Sequence, residues 1–361
     1  MRYPTLQHRT TRPVQVGSVI IGGGSEVVVQ SMTNTRTADV DATLDQIRRL
    51  ARAGAELVRV AVPTAEETAA LKQIIPASPV PLVADVHFHF DRALEAIAAG
   101  IAKIRLNPGN IRDRDQVRRV IDAAGAAGCA IRIGVNEGSV PVEAADSDKP
   151  LDELMVEKLA EYLQPFEEAR FEKLVLSAKS HDAVTCVSVN RRIARQWDWP
   201  LHLGVTHAGT AETGSIRSAA ALGALLCEGI GETIRISYAG DPVAEVGAAV
   251  ELLASLRLRK RTGLELIACP SCGRLQMDLD PIIRQVQQQL SDLPAPVSVA
   301  IMGCVVNGPG EAEGADVAIC AGKGKGVLYR FGEKVGTVQA AQMAGSVCRL
   351  AREIADQRAR T

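Results

Sequence analysis

The sequence predicts an α/β protein in which a (β/α)8 TIM barrel is followed by a smaller α/β domain. Eight short runs rich in Val, Ile and Leu alternate with segments of helix-like apolar spacing between about residues 26 and 237. Such runs are typical of parallel strands that are buried on both faces. Eight strand–helix units over this length fit a closed barrel. After residue 257 the alternation stops, and cysteines in turn-rich segments indicate a different kind of unit.

The predicted barrel elements follow one another in a regular order. Two short strands joined by Gly17-Ser18 predict a β-hairpin that caps the bottom of the barrel. Glycine follows several of the helical segments, where a helix C-terminus favours it. The hairpin strands are expected at 14–16 and 19–21, the barrel strands at 26–31, 57–62, 82–86, 103–106, 130–135, 173–177, 201–205 and 233–237, and helices at 42–53, 65–75, 91–99, 113–127 and 243–256.

A basic stretch at 257–261 is expected to be a solvated linker between two domains. The first domain, 1–257, would be the barrel with its N-terminal hairpin, and we expect it to bind the substrate. The second domain, 258–361, carries Cys269, Cys272 and Cys304, and this cysteine pattern would make it an iron–sulfur cluster domain. Its elements are expected to be a helix at 281–290, strands at 297–302, 317–320 and 327–331, and a final helix at 338–359.

Composition excludes several classes of function. The chain has 361 residues and a formal net charge of −1, so it has no general attraction for nucleic acid or an anionic membrane. Aromatic residues make up only 3% of the chain, which argues against platforms that stack bases. No run of about twenty apolar residues occurs, so we expect no membrane span and a cytoplasmic location. In that compartment the eight cysteines stay reduced unless they bind metal.

Three cysteines suggest a metal centre in the second domain. Cys269 and Cys272 form a C-x2-C pair, and Cys304 follows about thirty residues later. A structural zinc site normally has four protein ligands drawn from Cys and His, but all six histidines lie before residue 208. An iron–sulfur cluster tolerates an oxygen ligand, which Glu311 can supply across a Gly-Pro-Gly turn. A zinc site and unliganded thiols remain open alternatives, and the other five cysteines are expected to be small buried hydrophobes.

A ring of basic residues is expected at the mouth of the barrel, because the chemistry of such barrels lies at the C-terminal ends of their strands. Five cations fall there, each on a different strand. Grouping them costs repulsion that a polyanionic ligand offsets, so a phosphate or diphosphate ester is the expected ligand. The alternative is that each cation pairs with a barrel acid such as Asp85. The cations are Arg59, Arg105, Arg132, Lys179 and Arg235, and the neighbouring Asn107 and Asn136 are expected to bind substrate oxygens.

Five motifs, in order along nearly the whole chain, resemble the 4-hydroxy-3-methylbut-2-enyl diphosphate synthase family of the non-mevalonate isoprenoid pathway. The last two, CPSCGR at 269–274 and GCVVNGPGE at 303–311, are highly specific. The first three are VVQSMTNT at 28–35, ADVHF at 84–88 and RLNPGN at 105–110.

The resemblance implies a fold, an activity and a set of site residues. It implies a [4Fe–4S] cluster held by Cys269, Cys272, Cys304 and Glu311. The expected reaction is the reductive opening of 2-C-methyl-D-erythritol 2,4-cyclodiphosphate to the allylic diphosphate with loss of water, with two electrons from ferredoxin or flavodoxin. A homodimer is implied, in which the cluster domain of one subunit closes over the barrel of the other. The family's substrate-binding positions match Arg59, Asp85, Arg105, Asn107, Arg132, Asn136, Lys179 and Arg235.

One position departs from the family pattern. Family members have Thr-Glu-Ala-Gly after strand seven, whereas this chain reads Thr206-His207-Ala208-Gly209. We therefore expect His207 to replace the family's acid as proton donor, with Glu212 or water as alternatives. Two other functions are considered: a cluster-dependent lyase without net reduction, and a metal-stabilised binding protein for a phosphorylated metabolite. A requirement for added electrons excludes the lyase, and a displaceable Glu311 ligand argues against the binding protein.

Overall fold

A computed structural model describes residues 6–86, 89–106, 113–140, 148–269, 272–304, 310 and 313–360 of the chain. The chain divides into two compact units, Met1–Arg259 and Lys260–Thr361. Among the described residues, none of the helices combines the length and the hydropathy that crossing a membrane requires.

The first unit is a barrel of eight parallel strands, as the sequence predicts. The strands are hydrogen-bonded in the order β8-β7-β6-β5-β4-β3-β10-β9, and a bridge between Leu176 and Leu201 joins the two outer strands. The last two strands are shorter than expected, with two residues each. The strands are β3 Val28–Met32, β4 Leu57–Ala61, β5 Leu82–Asp85, β6 Lys103–Leu106, β7 Ala130–Asn136, β8 Leu174–Lys179, β9 His202–Leu203 and β10 Thr233–Ile234.

Eight helices surround these strands, and side-chain caps define where several of them begin. An aspartate accepts a first-turn amide at the start of α1, α4, α6 and α8, which satisfies one of the donors that a helix start leaves unpaired. Gly128 ends α4 with φ of 69°, a conformation that favours glycine. The helices are α1 Val40–Arg52, α2 Ala65–Ala77, α3 Phe90–Ala98, α4 Arg114–Ala127, α5 Leu151–Glu168, α6 Ala183–Gln196, α7 Ala211–Cys227 and α8 Pro242–Ser255.

The inside of the barrel is apolar at its bottom and polar above. An antiparallel hairpin, β1 Val14–Val16 and β2 Val19–Ile21, packs against inward side chains at the N-terminal ends of the strands, including Val28, Leu57 and Val83. The outward side chains of the same strands pack against the helices in the main core. Because side chains alternate along a strand, the next inward positions are free to carry polar groups, and these build the site.

The basic stretch after α8 is not a fully solvated linker. Arg259 is ion-paired to Glu56 and donates to the Val27 carbonyl at 3.2 Å, and only 15% of its side chain is exposed. The expectation of a solvated linker is wrong for this residue, because its guanidinium finds acceptors on the barrel.

The second unit is a five-stranded mixed sheet in the order β11-β12-β13-β14-β15, with β11, β12 and β13 parallel. In the described part of this unit, two helices pack on the sheet in a separate core. The sequence interpretation missed β11 and β15 and began the last helix five residues early, because both edge strands are largely exposed and lack a continuous apolar run. The elements are β11 Leu264–Ala268, α9 Asp280–Gln289, β12 Val297–Met302, β13 Val317–Ala321, β14 Lys325–Arg330, β15 Glu333–Gln339 and α10 Met343–Ala359.

Candidate active site

A strongly basic cavity, here called the arginine cavity, opens inside the C-terminal end of the barrel and has a volume of about 190 Å³. Residues from β4 to β8 and from the segments that follow β9 and β10 line it, so nearly the whole barrel contributes. Its lining consists of Arg59, Asp85, Arg105, Arg132, Gly134, Asn136, Ser177, Lys179, Val205, Thr206, Arg235 and Ser237.

Strand alternation directs these side chains inward. In β7, Ile131, Ile133 and Val135 pack outward in the main core, so Arg132 and Asn136 face the barrel interior. The parallel register then places Arg132 beside Arg105 of β6, and Asn136 beside Lys179 of β8. The cavity is therefore assembled by strand pairing, before any ligand binds.

Positive charge exceeds negative charge in this cavity. Asp85 lies 3.7 Å from Arg59 Nε and 3.5 Å from Arg105 Nη1. Glu245 of α8 lies 3.6 Å from Arg235 Nη2. Arg132 is 2% exposed, and its Nε and Nη1 have no hydrogen-bond partner in the described part of the chain. Among the described residues, five cations thus lie beside two carboxylates, which leaves an excess of positive charge for an anion.

The same burial shifts the titration of these groups. Burial lowers the pKa of Arg59 to about 10, and the nearby Arg235 and Arg105 add to the shift. The pKa values of Arg132 and Lys179 are also lowered, first by burial and then by neighbouring cations. Burial raises the pKa of Glu245. The shifts of the three cations indicate positive charge held out of water at a cost that a bound anion would offset.

Two glycines make room for polar side chains of the cavity. A Cβ on Gly204 would lie 2.8 Å from Lys179 Nζ and 2.7 Å from the Arg235 carbonyl oxygen. A Cβ on Gly134 would lie 2.5 Å from Ser177 Oγ. Because glycine has no side chain, both positions leave room for the residues beside them. The sequence analysis did not assign this role.

Further polar residues, also missed by the sequence analysis, lie in the barrel interior. Lys103 and His202 are fully buried, and Lys103 Nζ and His202 Nε2 have no hydrogen-bond partner among the described residues. Burial, followed by nearby cations, holds the pKa of both groups well below its usual range. The sequence did contain a signal for these two residues, because residues two apart on a strand face the same side. Lys103 lies two residues before Arg105, and His202 lies two residues before Gly204, so this pattern places both in the barrel interior.

The structure brings together seven of the eight expected substrate-binding residues, and Asn107 lies outside the described residues. His207 is not among the lining residues of the cavity. It follows β9 with φ of 52°, is exposed, and its Nδ1 lies 3.2 Å from the hydroxyl of Thr206, which does line the cavity. Glu212 lies in the exposed first turn of α7.

In the second unit, three cysteines lie along one end of the sheet, here called the cysteine edge (Cys269, Cys272 and Cys304). Cys269 directly follows β11, and its amide donates to the Ile301 carbonyl of β12 at 2.9 Å. Cys304 lies two residues beyond the end of β12. The turn after Cys272 is bonded to the same strand, since the Gln276 amide donates to the Gly303 carbonyl at 3.3 Å. A Cβ on Gly303 would lie 2.3 Å from Leu275 Cδ1, so glycine permits this close approach.

The thiols of the cysteine edge are candidate metal ligands. Hydrogen bonds from the backbone and side chain of Arg274 lower the pKa of Cys272, which favours the thiolate that binds iron. Within the described residues, no three His, Cys, Asp or Glu side chains are placed to hold a single metal ion. Glu311, the expected fourth ligand, lies outside them.

The remaining cysteines are mostly buried, as expected. Burial raises the pKa of Cys129 to about 12 and of Cys186 and Cys320 to about 11, so these thiols are poor ligands and nucleophiles. Cys348 is also buried, whereas Cys227 is exposed at the end of α7, where the expectation of a buried hydrophobe is wrong.

Two family models together match most of the chain. The GcpE TIM-barrel domain matches residues 11–250, and the C-terminal domain of the GcpE protein matches residues 265–353. The chain belongs to the GcpE family. Membership in the GcpE family confirms the resemblance seen in the sequence motifs, and both GcpE domains are present in their expected order.

Three GcpE relatives extend the match. One from Salinispora tropica is 46% identical over 356 residues, covering 98% of this chain and 91% of the relative. One from Lawsonia intracellularis is 46% identical and covers 91% of this chain and 92% of the relative. One from Nitratidesulfovibrio vulgaris is 47% identical and covers 93% and 87%, respectively. Each of the three relatives is named 4-hydroxy-3-methylbut-2-en-1-yl diphosphate synthase (flavodoxin).

Proposed function

We propose that this chain reductively opens 2-C-methyl-D-erythritol 2,4-cyclodiphosphate and releases 4-hydroxy-3-methylbut-2-enyl diphosphate and water. In this reaction the substrate takes up two electrons and protons, one ring C–O bond breaks, and the oxygen lost from the carbon skeleton leaves as water. The names of the relatives support this activity. The observation that carries it in this chain is the arginine cavity, where five cations from separate strands share two acids.

The arginine cavity is proposed to bind the cyclic diphosphate. Arg132, with two guanidinium nitrogens that lack partners among the described residues, is the strongest candidate for a charge-assisted hydrogen bond to phosphate oxygens. Lys179 adds a point charge, and Asn136 a neutral donor. Asp85 holds the guanidinium groups of Arg59 and Arg105, and thus orients them toward the ligand. In this proposal the first unit is the substrate domain, and Asn107 completes the set.

The second unit is proposed to hold a [4Fe–4S] cluster through Cys269, Cys272, Cys304 and Glu311. The chemistry supplied at these residues would be electron transfer and Lewis acidity toward a substrate oxygen. Glu311, as the carboxylate of the set, would be the ligand that substrate can displace. The lowered pKa of Cys272 supports this assignment, because a ligating cysteine must be deprotonated.

The proton that leaves with the hydroxyl group as water needs a donor at the mouth of the barrel. We propose His207, because an imidazole is a common general acid in catalysis. The neighbouring Thr206 lines the cavity, which brings the backbone of His207 to its rim. Glu212 and water are the alternative donors.

Flavodoxin is the proposed electron donor, as the names of the relatives suggest, with ferredoxin as the alternative. We further propose a cytoplasmic homodimer in which the cluster domain of one subunit serves the barrel of the other. Mixing Cys304→Ser chains with Arg132→Ala chains tests this shared site. Heterodimers should regain part of the activity, and absence of rescue after proven subunit exchange would refute it.

Anaerobic reconstitution with iron and sulfide tests the proposed function. We expect the optical and EPR spectra of a [4Fe–4S] cluster, and a change in the EPR spectrum when the cyclic diphosphate is added. Protein purified anaerobically with stoichiometric zinc and no iron, or a cluster whose spectrum ignores the substrate, would count against the proposal.

A further inference from the structure

A carboxylate just outside the arginine cavity ties together the ends of two barrel strands. Glu137 directly follows β7 and begins a short 3-10 turn, Glu137–Ser139. Its Oε1 accepts hydrogen bonds from the Ser180 hydroxyl and, at 3.1 Å, from the His181 amide. Its Oε2 lies 2.7 Å from His181 Nδ1. Glu137 does not line the cavity itself, so these contacts fix its carboxylate without using it on a ligand.

The groups that Glu137 binds are directly attached to residues that line the cavity. Asn136 precedes Glu137, and Lys179 precedes Ser180; these two lining residues are register partners across β7 and β8. The Ser180 carbonyl accepts the amide of Thr206, a third lining residue, at 3.0 Å. One carboxylate therefore connects the backbone at three consecutive strand ends.

This network is rigid on its outer side as well. Ser180 is fully buried, and its Oγ accepts the Asp182 amide at 2.9 Å. Asp182 in turn caps α6 by accepting the Thr185 amide at 2.7 Å. Burial would raise the pKa of Glu137, but hydrogen bonds from Ser180 and His181 outweigh it and hold the pKa below its usual range. The carboxylate is thus a fixed anion between a strand end and a helix start.

Lys179 is a lining residue whose side chain has little room to move. Its ammonium passes beside Gly204, in space where even a Cβ would lie only 2.8 Å from Nζ. A small shift of the β8 end would move Nζ against the β9 backbone and away from the cavity centre. Displacements of about 1 Å in a positioning residue can cost up to about 100-fold in catalytic efficiency.

We propose that Glu137 is a positioning residue. By accepting hydrogen bonds from Ser180 and His181, it holds Asn136, Lys179 and Thr206 in the positions that bind the diphosphate. The inference rests on the proposed function, because it concerns affinity for the same cyclic diphosphate. It assigns specificity for the ligand to a residue that does not contact it.

Calorimetry on the anaerobically reconstituted holoenzyme, without reductant, tests the inference. Glu137→Ala should weaken binding of 2-C-methyl-D-erythritol 2,4-cyclodiphosphate about tenfold, the lower range for a lost buried hydrogen-bond network. Glu137→Gln keeps one acceptor oxygen and should retain most of the affinity. Glu161→Ala is the matched control, because Glu161 is an exposed acid of α5 paired only with Lys158 in the described structure. It should bind like the wild type.

A double-mutant cycle distinguishes positioning from a general loss of stability. Ser180→Ala and Glu137→Ala should each weaken binding, and the double variant should bind about as weakly as the weaker single variant. Additive losses, or wild-type affinity in Glu137→Ala, would overturn the inference. If Glu137→Ala does not fold, Ser180→Ala and His181→Ala carry the test, with a loss of about twofold expected for His181→Ala. Wild-type affinity in both of these variants would then overturn the inference. A wild type that does not bind the cyclic diphosphate would instead refute the proposed function.

Discussion

The arginine cavity and the cysteine edge hold their functional groups in opposite ways. In the cavity, charged side chains lie on paired strands and are mostly buried; Arg59 and Arg105 expose 11% and 10% of their side chains. At the cysteine edge the three thiols follow strands or lie in a turn, and Cys272 is exposed. Strand pairing thus assembles the proposed anion site before a ligand arrives, whereas we infer that the thiols need a metal to complete their arrangement.

This difference predicts that the cysteine edge is the more sensitive region to the loss of one ligand. Cys304→Ser should lose the iron and all measurable turnover. The proposed donor set has only three thiolates, so this change leaves two thiolates to hold the cluster. Cys348→Ser, in α10 of the same unit, should keep both and serves as the control. Iron analysis and optical spectra measure the outcome. Full iron content in Cys304→Ser would show that Cys304 is not a ligand.

The chemistry at the rim of the cavity is expected to give the next largest effect. His207→Ala should lower turnover by about 10²–10⁴, the range for a lost general acid, with little change in affinity. His207→Glu should retain much of the activity. Single-turnover kinetics and calorimetry separate the two quantities. Turnover at the wild-type rate in His207→Ala would assign the proton to Glu212 or to water.

Removal of one cavity cation should separate binding from stability. Arg132→Ala should weaken binding of the cyclic diphosphate by about 1.5–3 kcal/mol, or about 10- to 150-fold. Arg132→Met should bind as weakly, yet raise the free energy of unfolding by about 1 kcal/mol or more, because it removes a buried charge two of whose nitrogens lack hydrogen-bond partners in the described structure. Calorimetry and urea denaturation measure both. A lower free energy of unfolding in Arg132→Met would contradict the view that the buried charge of Arg132 destabilises the fold.

Much of the cavity could be predicted from the sequence, because parallel strands in a barrel fix which end carries the chemistry. Arg59, Arg105 and Arg235 followed from strand position alone. Glu245 could not be predicted, since it reaches Arg235 from a helix and its role appears only when α8 packs on the barrel, where it contacts β3. Similarly, β11 and β15 escaped detection because edge strands need no continuous apolar pattern.

The buried polar residue His202 of β9 gives the smallest effect, and a pH dependence. Folded His202 stays neutral because burial lowers its pKa, whereas the unfolded residue takes up a proton near its ordinary pKa of about 6.5. Stability should therefore fall as the pH drops below about 6.5, by at most about 1.4 kcal/mol per pH unit from this residue. His202→Gln should flatten the slope, and the exposed His8→Gln should not. Equal slopes in wild type and His202→Gln, from urea denaturation between pH 7 and 5, would contradict this account.

The most direct test of the central claim is electron stoichiometry during turnover. The reconstituted protein is mixed anaerobically with reduced flavodoxin and 2-C-methyl-D-erythritol 2,4-cyclodiphosphate, and product and flavodoxin oxidation are followed together. We expect 4-hydroxy-3-methylbut-2-enyl diphosphate to form with two electrons consumed per molecule. Ring opening without electron consumption would identify a lyase, and an iron-loaded protein that leaves the substrate intact would contradict the proposed activity itself.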